Sequence, residues 1–102
     1  MRRQDIQLLA SARQGDLEAR YEVGRRYLLG IEGFPQHTDT GLEYLTHVSL
    51  APSERAARTI ADALPLHELV RRDLLPALVK TARAGSTAAQ LKLGTWSLLQ
   101  NP

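Results

Sequence analysis

Three times in this chain a helix breaker is followed at once by a residue that caps a helix start, and three positions later by alanine. The sets are Gly15, Asp16 and Ala19; Pro52, Ser53 and Ala56; and Gly85, Ser86 and Ala89. A glycine there can take the left-handed conformation that closes a helix, and Asp or Ser can accept a hydrogen bond from an otherwise unpaired amide of the next. One helix can therefore stop and another start within two residues. The first set lies 37 positions before the second and the second 33 before the third. The register persists beyond the breaker: Val23, Ile60 and Leu93 correspond, as do Gly24, Ala61 and Gly94, and Tyr27, Leu64 and Ser97. Periods of this length mark stacked helical hairpins.

The first copy is the most complete. Ala19, Val23 and Tyr27 recur at spacing four and share one helical face, with Gly24 beside it to admit a neighbouring backbone. Helix one is predicted over about Arg3 to Gln14, with Ile6, Leu8, Leu9 and Ala12 as its apolar positions, and helix two from Leu17 to Leu29. A loop over Gly30 to Thr38 follows, in which Phe34 should tuck against helix two or three while Glu32, Gln36 and His37 face solvent. Thr38 or Asp39 is expected to cap helix three, carrying Leu42, Tyr44, Leu45 and Val48. Helix four should run from about Glu54 to Leu64. Over Pro65 to Gly85, either one helix kinks at Pro76, or a short helix over Leu66 to Arg72 precedes a fresh one capped by Asp73, with Pro76 in its first turn, where a missing amide costs little. The second arrangement is preferred. The last helix is predicted over Thr87 to Leu99, ended by Asn101 and Pro102. Gly24 and Gly94 are both expected at close helix contacts.

These residues resemble the Sel-one-like repeats, relatives of the tetratricopeptide hairpins. The family pattern is A-x-x-G-x-x-x-A-x-x-x-L-G-x-x-Y-x-x-G-x-G-V-P, an acidic position, then A-L-x-W or A-L-x-Y. It is met here by Ala12, Gly15, Ala19, Val23, Gly24, Tyr27, Gly30, Gly33, Phe34, Pro35, Leu42 and Tyr44. One extra residue separates Gly30 from Gly33, and Gly41 stands where alanine is usual. The second copy lacks the glycines and the third stops before its loop. The resemblance implies an all-α, right-handed α-solenoid of about three hairpins, forming one domain over 1–102 with repeats near 4–38, 39–72 and 73–100.

Composition is compatible with this. At 102 residues, 43% hydrophobic and 24% charged, the chain falls in the globular range. Aromatics are 5% and β-branched aliphatics sparse, which favours helix over sheet. Cysteine is absent, so neither a disulfide nor a thiolate metal site holds the fold. No apolar run reaches the roughly 20 residues of a membrane span, and the polar start lacks the apolar run of a secretory signal; a cytoplasmic location is expected. Net charge is +2, so the pI of 9.4 overstates basicity. Arginine exceeds lysine 11 to 2, which fits a GC-rich bacterial source.

Catalytic motifs do not emerge. His67 and Glu68 begin like HExxH, but Arg71 stands where the second ligand belongs. His37, His47 and His67 have no ligand spacing. The glycines after helix two suggest a phosphate loop, yet they follow a helix C-terminus, where the dipole disfavours anions. Glu22–Arg26 and Glu68–Arg72 are favourable pairs four apart. Paired arginines at 25–26 and 71–72 suit an acidic protein patch better than nucleic acid, for which stacking aromatics are lacking.

The expected function is accordingly non-enzymatic, with no cofactor, metal or small-molecule substrate. The chain reads as an interaction module holding a segment of another protein, in the manner of a bacterial adaptor or small chaperone for signalling, envelope or secretion systems. The alternatives are a helical nucleic-acid-binding regulator and an accessory subunit of an enzyme. Because the first helix of each pair tends to line a concave groove in this family, the resemblance points to Glu43, Thr46 and His47 in one repeat and Lys80 and Arg83 in the next. At the far end Trp96, Leu98 and Leu99 cannot all face the preceding hairpin, since successive residues turn by about 100°. They mark a face for a partner helix or for self-association, unless the segment from Pro65 to Arg72 folds over Trp96.

Overall fold

The structure is a computed structural model, described over residues 2–100. Every regular element among these residues is helical. In chain order they are α1 (Arg3–Arg13), α2 (Leu17–Leu29), α3 (Thr38–Leu45), a 3₁₀ turn (Val48–Leu50), α4 (Glu54–Ala63), α5 (Leu66–Arg71), α6 (Leu75–Arg83) and α7 (Thr87–Gln100). Two compact units divide between Pro52 and Ser53, within the segment delimited by sequence as the second repeat.

In the first unit α2 packs against both α1 and α3. The α1–α2 turn is closed as its residues predict. Gly15 is left-handed at φ +100°, the Gly15 and Asp16 amides donate to Ala12 and Ser11 (both 3.1 Å), and Asp16 Oδ1 accepts from the Ala19 amide at 2.8 Å. Such a cap contributes about 1 kcal/mol. Ala12, Ala19, Val23 and Phe34 form a buried cluster, with Leu8, Leu9, Tyr27 and Tyr44 packed on it. Phe34 meets Tyr27 edge-on, ring centroids 5.0 Å apart, and Arg26 lies over its ring. Glu32, Gln36 and His37 are exposed, as expected of that loop.

The α2–α3 crossing is closer than leucine packing allows. A Cβ added to Gly24 would come within 2.7 Å of Leu45, and one added to Gly41 within 2.7 Å of the Leu28 backbone nitrogen. Gly41 thus lets α3 lie against the α2 backbone. The cap of α3 differs from expectation. Neither Thr38 nor Asp39 supplies it; His37 does, its Nδ1 accepting from the Thr40 amide at 3.2 Å. Val48 leaves the helix for the 3₁₀ turn and is 82% exposed. Ile6 is exposed as well, because Ala12 and the adjacent Leu8 and Leu9 already fill the inward side of α1.

In the second unit α6 packs against α4 and α7, and α5 lies against α6. Ile60, Leu64, Leu69 and Leu78 form its buried interior with Ala56, Ala61, Ala82 and Ala89. Lys92 ties α7 to the end of α4, its Nζ donating to the carbonyls of Ala61 (2.7 Å) and Leu64 (3.2 Å). Ser53 caps α4 as predicted. The segment after Pro65 does form a short helix and then a fresh one, with Pro76 in its first turn. Asp73, however, does not cap α6. It takes the left-handed conformation (φ +58°), and the Asp73 and Leu74 amides close α5 onto Val70 and Leu69. Aspartate serves here in the role usually given to glycine.

The α6–α7 turn repeats the α1–α2 turn bond for bond, 70 positions on. Gly85 has φ +104°, the Gly85 and Ser86 amides donate to Ala82 (3.1 Å) and Thr81 (3.3 Å), and Ser86 Oγ accepts from Ala89 at 3.2 Å. A side chain then reaches back across each turn: Arg20 Nη2 donates to the Ala12 carbonyl (3.1 Å) and Gln90 Nε2 to the Ala82 carbonyl (3.0 Å). The internal repeat is therefore structural for the first and third copies. Gly94 breaks the analogy with Gly24: it is exposed, and a Cβ there would meet nothing within 4 Å.

Candidate functional site

The two arginine pairs are engaged by the chain itself. In each, a glutamate sits three and four residues earlier on the same helix, so both guanidinium groups reach one carboxylate. Arg25 and Arg26 bind Glu22 at 2.6 and 3.2 Å, and Arg71 and Arg72 bind Glu68 at 2.7 and 2.9 Å. Arg26 also reaches from α2 to the buried Asp5 of α1 at 3.2 Å, and Arg2 closes on the same carboxylate. The electrostatics follow. Hydrogen bonds from Arg71 and then Arg72 hold Glu68 at about 2, against an ordinary 4.5, and outweigh a burial penalty acting in the opposite sense. For Asp5 and Glu22 burial pushes the carboxyl upward, and the arginine hydrogen bonds and charges overcome it, leaving both below their ordinary values. Each of these three carboxylates is stabilised as an anion by the fold's own cations.

The candidate contact residues fall into separate places. Glu43 is exposed in the C-terminal half of α3, Thr46 is exposed just beyond it as the C-cap, and His47 follows in the connection to the 3₁₀ turn. The Thr46 hydroxyl donates to the Leu42 carbonyl at 2.6 Å, while His47 Nδ1 accepts from the Ser49 amide at 3.1 Å, so the neutral ring carries its proton on Nε2. Lys80 and Arg83 lie one turn apart on α6 and line a shallow groove with Leu75, Pro76 and Val79 and with the carboxylate residue Glu54 at the start of α4.

Trp96 is half-buried. It lines a groove between α5 and α7 together with Leu66, Val70 and Leu99, with His67 and Arg71 at the rim. The segment from Pro65 to Arg72 thus folds beside the tryptophan, and Trp96 does not stand on the open face of α7. Leu98 and Leu99 do remain outside the core, 75% and 73% exposed, and so does Leu91 at 68%. Helical geometry separates them: Leu91 and Leu98 lie on the side of α7 opposite the buried Ala89, and Leu99 is turned toward the α5 groove.

Sequence reasoning found Leu98 and Leu99 from the excess of apolar residues on one helix. It counted Leu91 in that excess without assigning it to the contact face, and it did not foresee the open surroundings of Gly94, since glycine in that register suggested a covered contact. The signal was the lack of any carboxylate from Leu74 to Pro102, over which Lys80, Arg83 and Lys92 are the only charged side chains. Among the described residues no cluster of three or more His, Asp or Glu could hold a metal, and no helix is long and apolar enough to cross a membrane. No protein-family model matches the chain, and no curated protein or solved structure matches it.

Proposed function

We propose that the protein is a non-enzymatic protein–protein interaction module, a Sel-one-like helical repeat serving as a cytoplasmic adaptor or small chaperone in a bacterial signalling, envelope or secretion system. One observation carries this reading: three large apolar side chains of α7, Leu91, Leu98 and Leu99, stand in solvent on a single helix. Leu91 and Leu98 share one face of that helix, and adjoining exposed apolar side chains commonly mark a contact. The right-handed solenoid remains part of the proposal; the bond-for-bond repeat of its first and third turns supports it.

The reading is tested by capturing the tagged protein from its native host. A stoichiometric partner that is lost with Leu91→Glu or Leu98→Glu is the expected result. Retention on heparin that collapses steeply with salt, with no protein partner, would replace it with a nucleic-acid-binding role.

A further inference from the structure

The single tryptophan of the chain stands in a groove that the interaction-module reading leaves unused. Leu66 and Val70, four apart on α5, and Trp96 and Leu99, three apart on α7, each share a helical face. Together they make an apolar floor between the two helices. The groove has a volume of about 510 Å³, within the range of small-ligand sites, which pair such a floor with a few polar groups that fix orientation.

The polar groups of the rim set the charge of the ligand. Among the described residues the rim consists of Arg71, His67 and Gln100, and no carboxylate lines the groove. Arg71 is bound to Glu68 side-on, through Nε at 3.2 Å and Nη2 at 2.7 Å. Glu68 also accepts from Arg72 at 2.9 Å, so one carboxylate is divided between two guanidinium groups. The end-on edge of Arg71, with one N–H from each Nη, is left over on a side chain that is 62% exposed. Such an edge matches the two oxygens of a carboxylate. A phosphate, with its second charge, would call for more cations than this rim holds. We propose that the α5–α7 groove binds a small amphipathic monocarboxylate, its aliphatic body on Trp96 and Leu99 and its carboxylate on the unspent edge of Arg71. The site goes beyond the interaction-module reading and does not depend on it.

Because Trp96 is the only tryptophan, its emission reports on this groove. The probe is decanoate, kept monomeric and titrated into the full chain. Saturable binding with a blue shift of the emission is expected, since the alkyl chain displaces water from the ring. Decylammonium has the same tail and the opposite charge, and it should bind about tenfold more weakly or worse. Arg71→Gln should weaken decanoate by about tenfold, with Arg72 still on Glu68. Leu99→Glu alters a side chain that is 73% exposed, so it should keep the native circular dichroism while it abolishes binding by placing a carboxylate in the groove. The site is overturned by the absence of a saturable shift up to about 1 mM, by equal affinity for the two head groups, or by either variant binding decanoate as the native chain does.

Discussion

The α1–α2 and α6–α7 hairpins have the same turn and opposite fates. Both close with a left-handed glycine, both restart on a side-chain cap, and both send a polar side chain from the fourth residue of the second helix back to an alanine carbonyl. Beyond that point they diverge. A third helix covers α2 so closely that it has glycine on both sides of the crossing, while the equivalent face of α7 is open. The turn is specified by neighbours in sequence and survives a change of Asp to Ser and of Arg to Gln. The fate of the outer face is decided by a different segment of chain, so an identical Gly in the same register is a tight contact in one copy and a bare surface in the other.

That contrast can be broken at its covered side first. Phe34 is 4% exposed and fills the space between α2 and the loop leading to α3. Phe34→Ala should cost about 3–5 kcal/mol by chemical denaturation, as removal of a buried aromatic does. A loss confined to a few tenths would mean that α3 is held without its loop. Next comes Gly41→Ala, where the added carbon meets backbone, which cannot rotate away as a side chain can. It should cost about 1–3 kcal/mol despite the better helix propensity of alanine. An unchanged melting temperature would show that α3 sits farther from α2.

The shared features of the two hairpins are subtler to test. Gln90→Ala removes the bond to the Ala82 carbonyl, which still accepts from the Gly85 amide, so about 0.5–1 kcal/mol is expected. Retention of full stability would make the reach-back bond incidental. The smallest effect concerns acid. Glu68 has a folded value of about 2 against an ordinary 4.5, so its pairing stabilises the native state fully above the ordinary value. That contribution is lost as pH falls from about 4.5 toward 2, where the folded state must take up the proton as well. Glu68→Gln should flatten the acid limb of the melting-temperature profile in that window. A profile identical to the native one would show that the arginines do not hold the carboxylate in solution.

What could be read from the sequence follows from the range of each interaction. Gly15–Asp16 and Gly85–Ser86 were legible because their bonds close within a few residues. Arg26 and Arg72 were legible as partners of Glu22 and Glu68 through helical spacing, though not the bonds of Arg25 and Arg71 to the same carboxylates or the reach of Arg26 to Asp5 on another helix. His37 as a cap and Asp73 as a left-handed closure were missed because those roles normally fall to Ser, Thr, Asp or Asn and to glycine. The openness around Gly94 was not legible at all. It depends on which segment packs where, and nothing within α7 records that. Trp96 was legible only as an alternative, in which the segment from Pro65 to Arg72 folds over it, because its burial is set by where α5 lies.

The central claim is that α2 and α7 share a register and differ in cover, and matched substitutions at Gly24 and Gly94 test it most directly. Thermal and denaturant unfolding of Gly24→Leu and Gly94→Leu should give opposite signs. Gly24→Leu forces its side chain into Leu45 and Tyr44 and should lose about 1–3 kcal/mol or more. Gly94→Leu meets open space and should hold its stability or gain up to about 0.8 kcal/mol from helix propensity. Equal losses at both positions would show that α7 is covered as α2 is, and would contradict the account.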